Sequence, residues 1–248
     1  MNMTPIELIA SAARDIQDLM ERRLRSGNVH LKKSAILLAY WIRDYVRLLN
    51  HERSGGKTYR RYGRGDIVKV HLGFRIGNEE GGLHYGIVLD RRDTTKNPVL
   101  MILPMTSVKE STDLTRLNPK DVYLGNEVTD AIAAKIRKNV SNLSDEAVMA
   151  GKGFSDFKCK DEMDEEEAAR FQKALQEING KSKVIRSQIA QMSKMKRGGI
   201  ALCNQMVTVS KLRIYDPCSS RDLLHGIHLS SASLDKIDEK IKELYLNH

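Results

Sequence analysis

The chain has 248 residues and a mass of 28.1 kDa, enough to build a substantial core without a disulfide or metal staple. Hydrophobic residues at 41% and charged residues at 29% exclude collagen-like, mucin-like and wholly disordered chains. The surplus of 41 Lys and Arg over 32 Asp and Glu, a net +9, favours polyanionic or acidic partners over a neutral metabolite. Three cysteines, Cys159, Cys203 and Cys218, form no CxxC or Cys/His spacing, which argues against structural zinc and suits a reducing compartment. The longest strongly apolar run, Ala35 to Ile42, falls far short of the roughly 20 residues that span a bilayer. Met1 to Arg14 also lacks a basic start followed by an apolar core. The expectation is a cytoplasmic protein with no membrane partner.

In chain order, Ile6, Leu8, Ile9, Ala13, Ile16 and Met20 keep an approximate one-face spacing, broken at Ser26-Gly27-Asn28. A second helix follows from Leu31 to Leu49, with Ala35, Leu38, Ile42, Tyr45, Val46 and Leu49 in a broad stripe beside Trp41. Residues 1–62 carry 12 Lys/Arg and 6 Asp/Glu, so most of the positive surplus lies in this helical extension. Ser54-Gly55-Gly56-Lys57 reads as a linker, dividing an extension of residues 1–58 from a domain of residues 59–248.

The period then becomes two-fold. Asp66 to Leu72 alternates as a half-buried strand, the chain turns at Ile76 to Gly82, and Tyr85 to Asp90 and Val99 to Pro104 are apolar strand-like runs. Asp121 to Leu124 forms a further short strand, whereas Asn139 to Lys160 is polar and weakly patterned. Asp161 to Ala174 and Lys181 to Arg197 are acidic at the start and basic at the end, as a helix dipole prefers, with Asn179-Gly180 dividing them. Glu165-Glu166-Glu167 reads as a solvated first turn, because consecutive helical residues do not face a common metal. Ile200 to Leu212 returns to strand character. His225 to Leu229 is a short strand whose two histidines point to opposite faces, and Ser233 caps a final helix carrying Leu234, Ile237, Ile241 and Leu244. Gly151-Lys152-Gly153 lacks the partners of a phosphate loop and reads as a flexible turn.

Several of these segments resemble a known family when taken together. Arg64-Gly65-Asp66-Ile67-Val68-Lys69-Val70, then Gly77-Asn78-Glu79-Glu80-Gly81-Gly82-Leu83-His84-Tyr85-Gly86-Ile87-Val88-Leu89, then Leu103-Pro104-Met105-Thr106-Ser107, resemble the opening of a MazF/PemK-family toxin. Ala201 to Lys211 is similar to the family's late strand, and Leu234 to Leu246 to its C-terminal helix. The resemblance covers residues 62–124 and 198–248, leaving the N-terminal hairpin and an insertion of about 125–197 outside it. It implies an α+β chain: an SH3-like small β-barrel of the MazF/PemK/CcdB kind with an N-terminal helical hairpin, a helical insertion and a C-terminal helix. It further implies a growth-inhibiting toxin of a type II toxin-antitoxin system, a homodimer with a separate acidic antitoxin. Its activity would be a sequence-specific endoribonuclease that cuts single-stranded RNA without metal or other cofactor.

One departure concerns the chemistry. The family usually carries an Arg soon after the Gly-Gly of the loop, and His84-Tyr85 stands in that place here. Cleavage through the 2′-hydroxyl needs that proton removed, charge on the phosphoryl oxygens stabilised, and the leaving 5′-oxygen protonated. An imidazole, ordinarily titrating near pH ~6.5, can move protons as an Arg scarcely can, but it lacks the guanidinium fork that grips phosphate. His84, Thr106 and Glu79 are therefore the expected catalytic residues: Thr106 as a donor to a non-bridging oxygen, Glu79 as orienter of His84 or as base. Arg75, Arg91, Arg92, Ser107 and Lys109 are the expected RNA-binding residues. The plainer readings are a polar surface histidine and a turn-bonded strand-end threonine. Two rival functions remain, a catalytically inactive nucleic-acid-binding module on the same barrel, and a toxin that grips a protein such as a topoisomerase.

Overall fold

The computed structural model describes residues 3–52, 58–158, 165–196 and 198–246. The Ser54-Gly55-Gly56-Lys57 linker, Cys159 and the acidic start at Asp161 lie outside them. Helix α1 (Pro5–Arg25) starts at a reciprocal cap: the Thr4 amide donates to Glu7 Oε2 at 2.8 Å and the Glu7 amide to Thr4 Oγ1 at 3.3 Å. Arg22, Arg23 and Arg25 occupy its last turn, where cations meet the negative end of the dipole. Helix α2 (Val29–Glu52) follows the Ser26-Gly27-Asn28 break and completes the expected hairpin.

Among the described residues, seven strands form one antiparallel sheet: β1 (Ile67–His71), β2 (Leu83–Val88), β3 (Val99–Ser107), β4 (Asp121–Gly125), β5 (Gly199–Leu202), β6 (Val207–Ser210) and β7 (Ile214–Asp216). Their order is β4-β5-β3-β2-β1-β7, with β6 also on β3. Strands β5 and β6 are two segments along the same edge of β3, pairing Met105 with Ala201 and Ile102 with Val207, so Cys203 to Met206 bulge out between them. Strands β4 and β7 do not pair with one another, so the sheet is open where a closed barrel was expected. Pro217 directly after β7 has no N–H to extend a ladder, and β4 ends at Gly125, at φ +61°, just before a helix begins.

Strand alternation builds a core on each face. Ile67, Ile87, Leu103 and Met105 face one side, where Val128, Ile132, Ile136 and Ile237 of helices cover them. Val68, Val70, Val88, Leu100 and Ile102 face the other, with Tyr62, Leu72, Val209 and Ile214. Beneath this second core Lys211 and Asp93 form an ion pair at 2.7 Å, with side chains 2% and 0% exposed. The Lys211 ammonium also donates to the Arg60 and Thr94 carbonyls, at 3.0 and 2.9 Å, and the Tyr62 amide to Asp93.

The insertion is two long packed helices, α3 (Glu127–Lys158) and α4 (Glu165–Met192). Residues 139–158, weakly patterned in sequence, are helical, and two expectations are corrected: Gly151-Lys152-Gly153 lies inside α3, and Asn179-Gly180 does not divide α4. Each interior Gly costs only about 1 kcal/mol, and packing outweighs it. Ile185 and Gln188 are buried, Asn139 Nδ2 contacts Gln188 Oε1 at 3.4 Å, and Lys181 pairs with Glu146. Lys135 anchors α3 by donating to the carbonyls of Asp222, Leu223 and His225, at 2.8, 3.0 and 2.8 Å.

Helix α5 (Ser231–Tyr245) is capped by Ser230, not Ser233, whose hydroxyl instead donates to Glu127. Leu234, Ile237, Ile241 and Leu244 meet the core as their spacing requires. His225 to Leu229 is a turn with a single bridge, Asp66 to His228, rather than a strand, because Gly226 at φ +74° reverses the chain. His225 contacts Arg60 and His228 contacts Asp66, so the two rings have separate partners. Among the described residues, no helix is long and apolar enough to cross a membrane.

The hairpin docks through Trp41, the chain's one tryptophan, stacked on His71 at 4.5 Å between ring centroids, with the Arg213 guanidinium 5.2 Å from the Trp41 ring. Burial first, then the Arg213 and His84 charges, hold His71 below its ordinary 6.5, against the opposing pull of Asp44. A neutral His71 thus favours the folded state above pH 6.5, and this contribution is lost as pH falls through the lower folded value. Acidification below 6.5 is expected to loosen the dock. Trp41 emission followed against pH checks this, with His71→Phe removing the transition.

Candidate active site

Strands β2 and β3 pair Tyr85 with Met105, and one further step of that antiparallel register sets His84 opposite Thr106, on the sheet face of Val70. Both residues line a cavity of about 590 Å³ at this end of the sheet, together with Ser107, Lys69, Lys194 and Lys196. The last two come from the connection between α4 and β5, so the insertion forms one wall.

His84 is partly buried, with Nδ1 3.4 Å from the Met105 carbonyl and Nε2 3.4 Å from Glu80 Oε2. Both ring nitrogens therefore face oxygen atoms. The acid beside His84 is Glu80, where Glu79 was expected. Glu79 is exposed and turns to Arg75, 3.7 Å away. The reason is a clamp the sequence reading did not contain: the Glu80 amide donates to Gln205 Oε1 at 3.3 Å, and Gln205 Nε2 donates to the Asn78 carbonyl at 3.2 Å. The bulge between β5 and β6 thus grips the loop. Burial, and secondarily the Glu80 charge, push the neighbouring Asp121 carboxyl up.

The expected phosphate-binding cations sit elsewhere. Arg75 is engaged by Glu79 and by the Leu72 carbonyl, 2.9 Å from its Nε. Arg91 and Arg92 follow β2 at the end remote from His84, and Arg91 pairs with Asp238 of α5 at 3.6 Å. Lys109 is exposed in a turn closed by its amide on Thr112 Oγ1 at 2.9 Å. None of these lines the cavity; of the expected binding set, only Ser107 does. Lys69 carried a readable signal, a charge at a strand position on the face of core Ile67. Lys194 and Lys196 carried none beyond the basic end of a helix.

Among the described residues, no group of three or more His, Cys, Asp or Glu side chains is arranged to hold a metal ion. An imidazole, two hydroxyls and three ammonium groups instead line one cavity at the strand ends, with His84 and Thr106 on one face of the sheet and Lys69 on the other, and the Glu80 carboxylate touches His84 from outside the lining. That set suits proton transfer at a phosphodiester. A scan against models of known protein families and a search of curated proteins both give no match.

Proposed function

We propose that the protein is a metal-independent endoribonuclease acting on single-stranded RNA, a growth-inhibiting toxin of the MazF/PemK kind. The observation that supports it is the convergence of His84, Thr106 and Ser107 with Lys69, Lys194 and Lys196 at one cavity, from segments far apart in sequence. The open sheet, with β3 flanked on one edge by the broken β5–β6 run, is read as the bent framework of an SH3-like barrel. A homodimer and a separate acidic antitoxin are the partners this reading carries.

In this mechanism the 2′-oxygen forms a bond to the adjacent phosphorus as the bond to the 5′-oxygen breaks. Glu80 takes the 2′-hydroxyl proton and His84 gives a proton to the departing 5′-oxygen, leaving a 2′,3′-cyclic phosphate and a 5′-hydroxyl. Thr106, on the sheet face of His84, donates to a non-bridging oxygen, and Ser107 with Lys69, Lys194 and Lys196 lines the other side of the cavity, where the cations offset phosphate charge. Glu80→Gln is expected to lower kcat by up to about 10²-fold with KM little changed, because it removes proton acceptance and His84 alignment but no phosphate contact. Single-turnover and steady-state rates on one oligonucleotide check this.

The deciding experiment incubates the purified protein with a long single-stranded RNA in chelator. Discrete fragments ending in cyclic phosphate are expected. Intact RNA with salt-dependent retention would favour a binding module, the reading that His84 in place of the family's arginine supports. Intact RNA without retention would point to a protein target.

A further inference from the structure

We infer that the α3–α4 insertion builds a second, contiguous nucleic-acid site: a groove between α4 and the β1/β7 side of the sheet that carries the single-stranded RNA backbone onward from the His84 cavity to Arg221. This rests on the ribonuclease reading for its ligand. A cavity of about 410 Å³ adjoins the first and shares Lys69, Leu83 and Gln191 with it. One wall is α4, through Val184, Ser187 and Gln188; the other is Tyr215 with the Arg221–Leu223 loop. Gln188, itself buried, donates to the Arg221 carbonyl at 2.8 Å and fixes that loop to the helix, while the Arg221 residue stays exposed.

The charge balance favours an anion chain. Lys194 and Lys196 stand at one end, Lys69 where the cavities meet, and Arg221 at the far end. Lys194, Lys196 and Arg221 form no ion pair among the described residues. Two carboxylates, Asp216 and Asp222, also line the second cavity, so over both cavities the four cations exceed the acids by two. Asp222 accepts from the Cys218 and Ser219 amides, at 2.6 and 2.7 Å, and from the Ser219 hydroxyl; burial pushes its carboxyl up, but these bonds and the Arg60 charge bring it below its ordinary range, so it stays charged. Asp216 accepts from the Leu224 amide at 2.9 Å, and burial pushes its carboxyl up. Spaced cations with few apolar anchors fit a sugar-phosphate chain better than an acidic peptide; the Tyr215 ring at this edge is partly exposed, with its hydroxyl held by Asp44 and Arg47 of α2.

The test measures binding of the full chain to 2′-deoxy, non-cleavable single strands, one short enough to fill only the first cavity and one several nucleotides longer, across a salt series. For wild type the longer strand should bind more tightly and show the steeper salt dependence. Arg221→Ala should weaken only the longer strand and lower its salt slope by about 0.7, the change for one lost single-strand phosphate contact. Arg221→Lys should restore most of it. Equal affinity and slope for wild type and Arg221→Ala, equal weakening of both strands, or retention of polyglutamate in place of either strand would overturn the groove. Because the strands cannot be cut, failure of catalysis leaves this readout standing. Loss of the groove with RNA cleavage intact would leave the ribonuclease reading standing.

Discussion

Replacing His84 with alanine is expected to slow RNA cleavage by about 10²- to 10⁴-fold, the range contributed by a positioned general acid or base. The His84 ring is held by a backbone carbonyl on one nitrogen and Glu80 on the other, so its loss would remove the proposed proton donor without disturbing a strand pairing. Thr106→Ala should cost about 10²- to 10³-fold, the range for one donor to a developing oxyanion. Thr106 lies on β3, whose ladder to Ile200 uses backbone groups alone, so the fold survives the change. Both variants should keep RNA retention and its salt slope, since the lysines around the cavity are untouched. Single-turnover cleavage and retention, measured side by side, separate the two effects. Undiminished cutting in either variant would remove that residue from the mechanism.

The largest stability effect is expected at Lys211 and Asp93. Both side chains are essentially solvent-free, and Lys211→Met would leave the Asp93 carboxylate buried without its cation, at a cost of about 3–5 kcal/mol. The Tyr62 and Arg60 contacts to the pair mean that the strap entering β1 should loosen at the same time. Urea denaturation should show a lower midpoint with a similar slope. The double variant Lys211→Met with Asp93→Asn should recover part of the loss, because no uncompensated charge remains. Burial pushes the Asp93 carboxyl up, but the Lys211 and Tyr62 hydrogen bonds and the ammonium charge bring it below its ordinary 3.8. A depressed folded value means the pair's contribution is present above pH 3.8 and is lost as pH falls through that lower value. Acid unfolding should therefore lose this contribution only below about pH 4 in the wild type.

Much of the framework was legible in the sequence. The Ser26-Gly27-Asn28 break, the alternation of Ile67 to His71, the apolar runs of β2 and β3 and the stripe on α5 report local periods, and local periods follow from which face is buried. The insertion was less legible. Its Gly and Asn signals report intrinsic propensity, about 1 kcal/mol per residue, and that is overturned when two long helices share one face. The cap of α5 slipped by one turn for a similar reason, since Ser233 is recruited by Glu127 from a distant helix.

Taken by itself, the sequence determined the residue types around the site and their strand positions: His84 near the start of β2, Thr106 and Ser107 at the end of β3, and an acidic loop before them. Tertiary structure decided which acid and which cations serve it. Gln205, over a hundred residues away, turns Glu80 rather than Glu79 toward His84, and the end of α4 brings Lys194 and Lys196 where Arg91, Arg92 and Lys109 were expected. Strand periodicity sets a side chain's face, but long-range hydrogen bonds and helix packing set its neighbours, and those carry no local period to read.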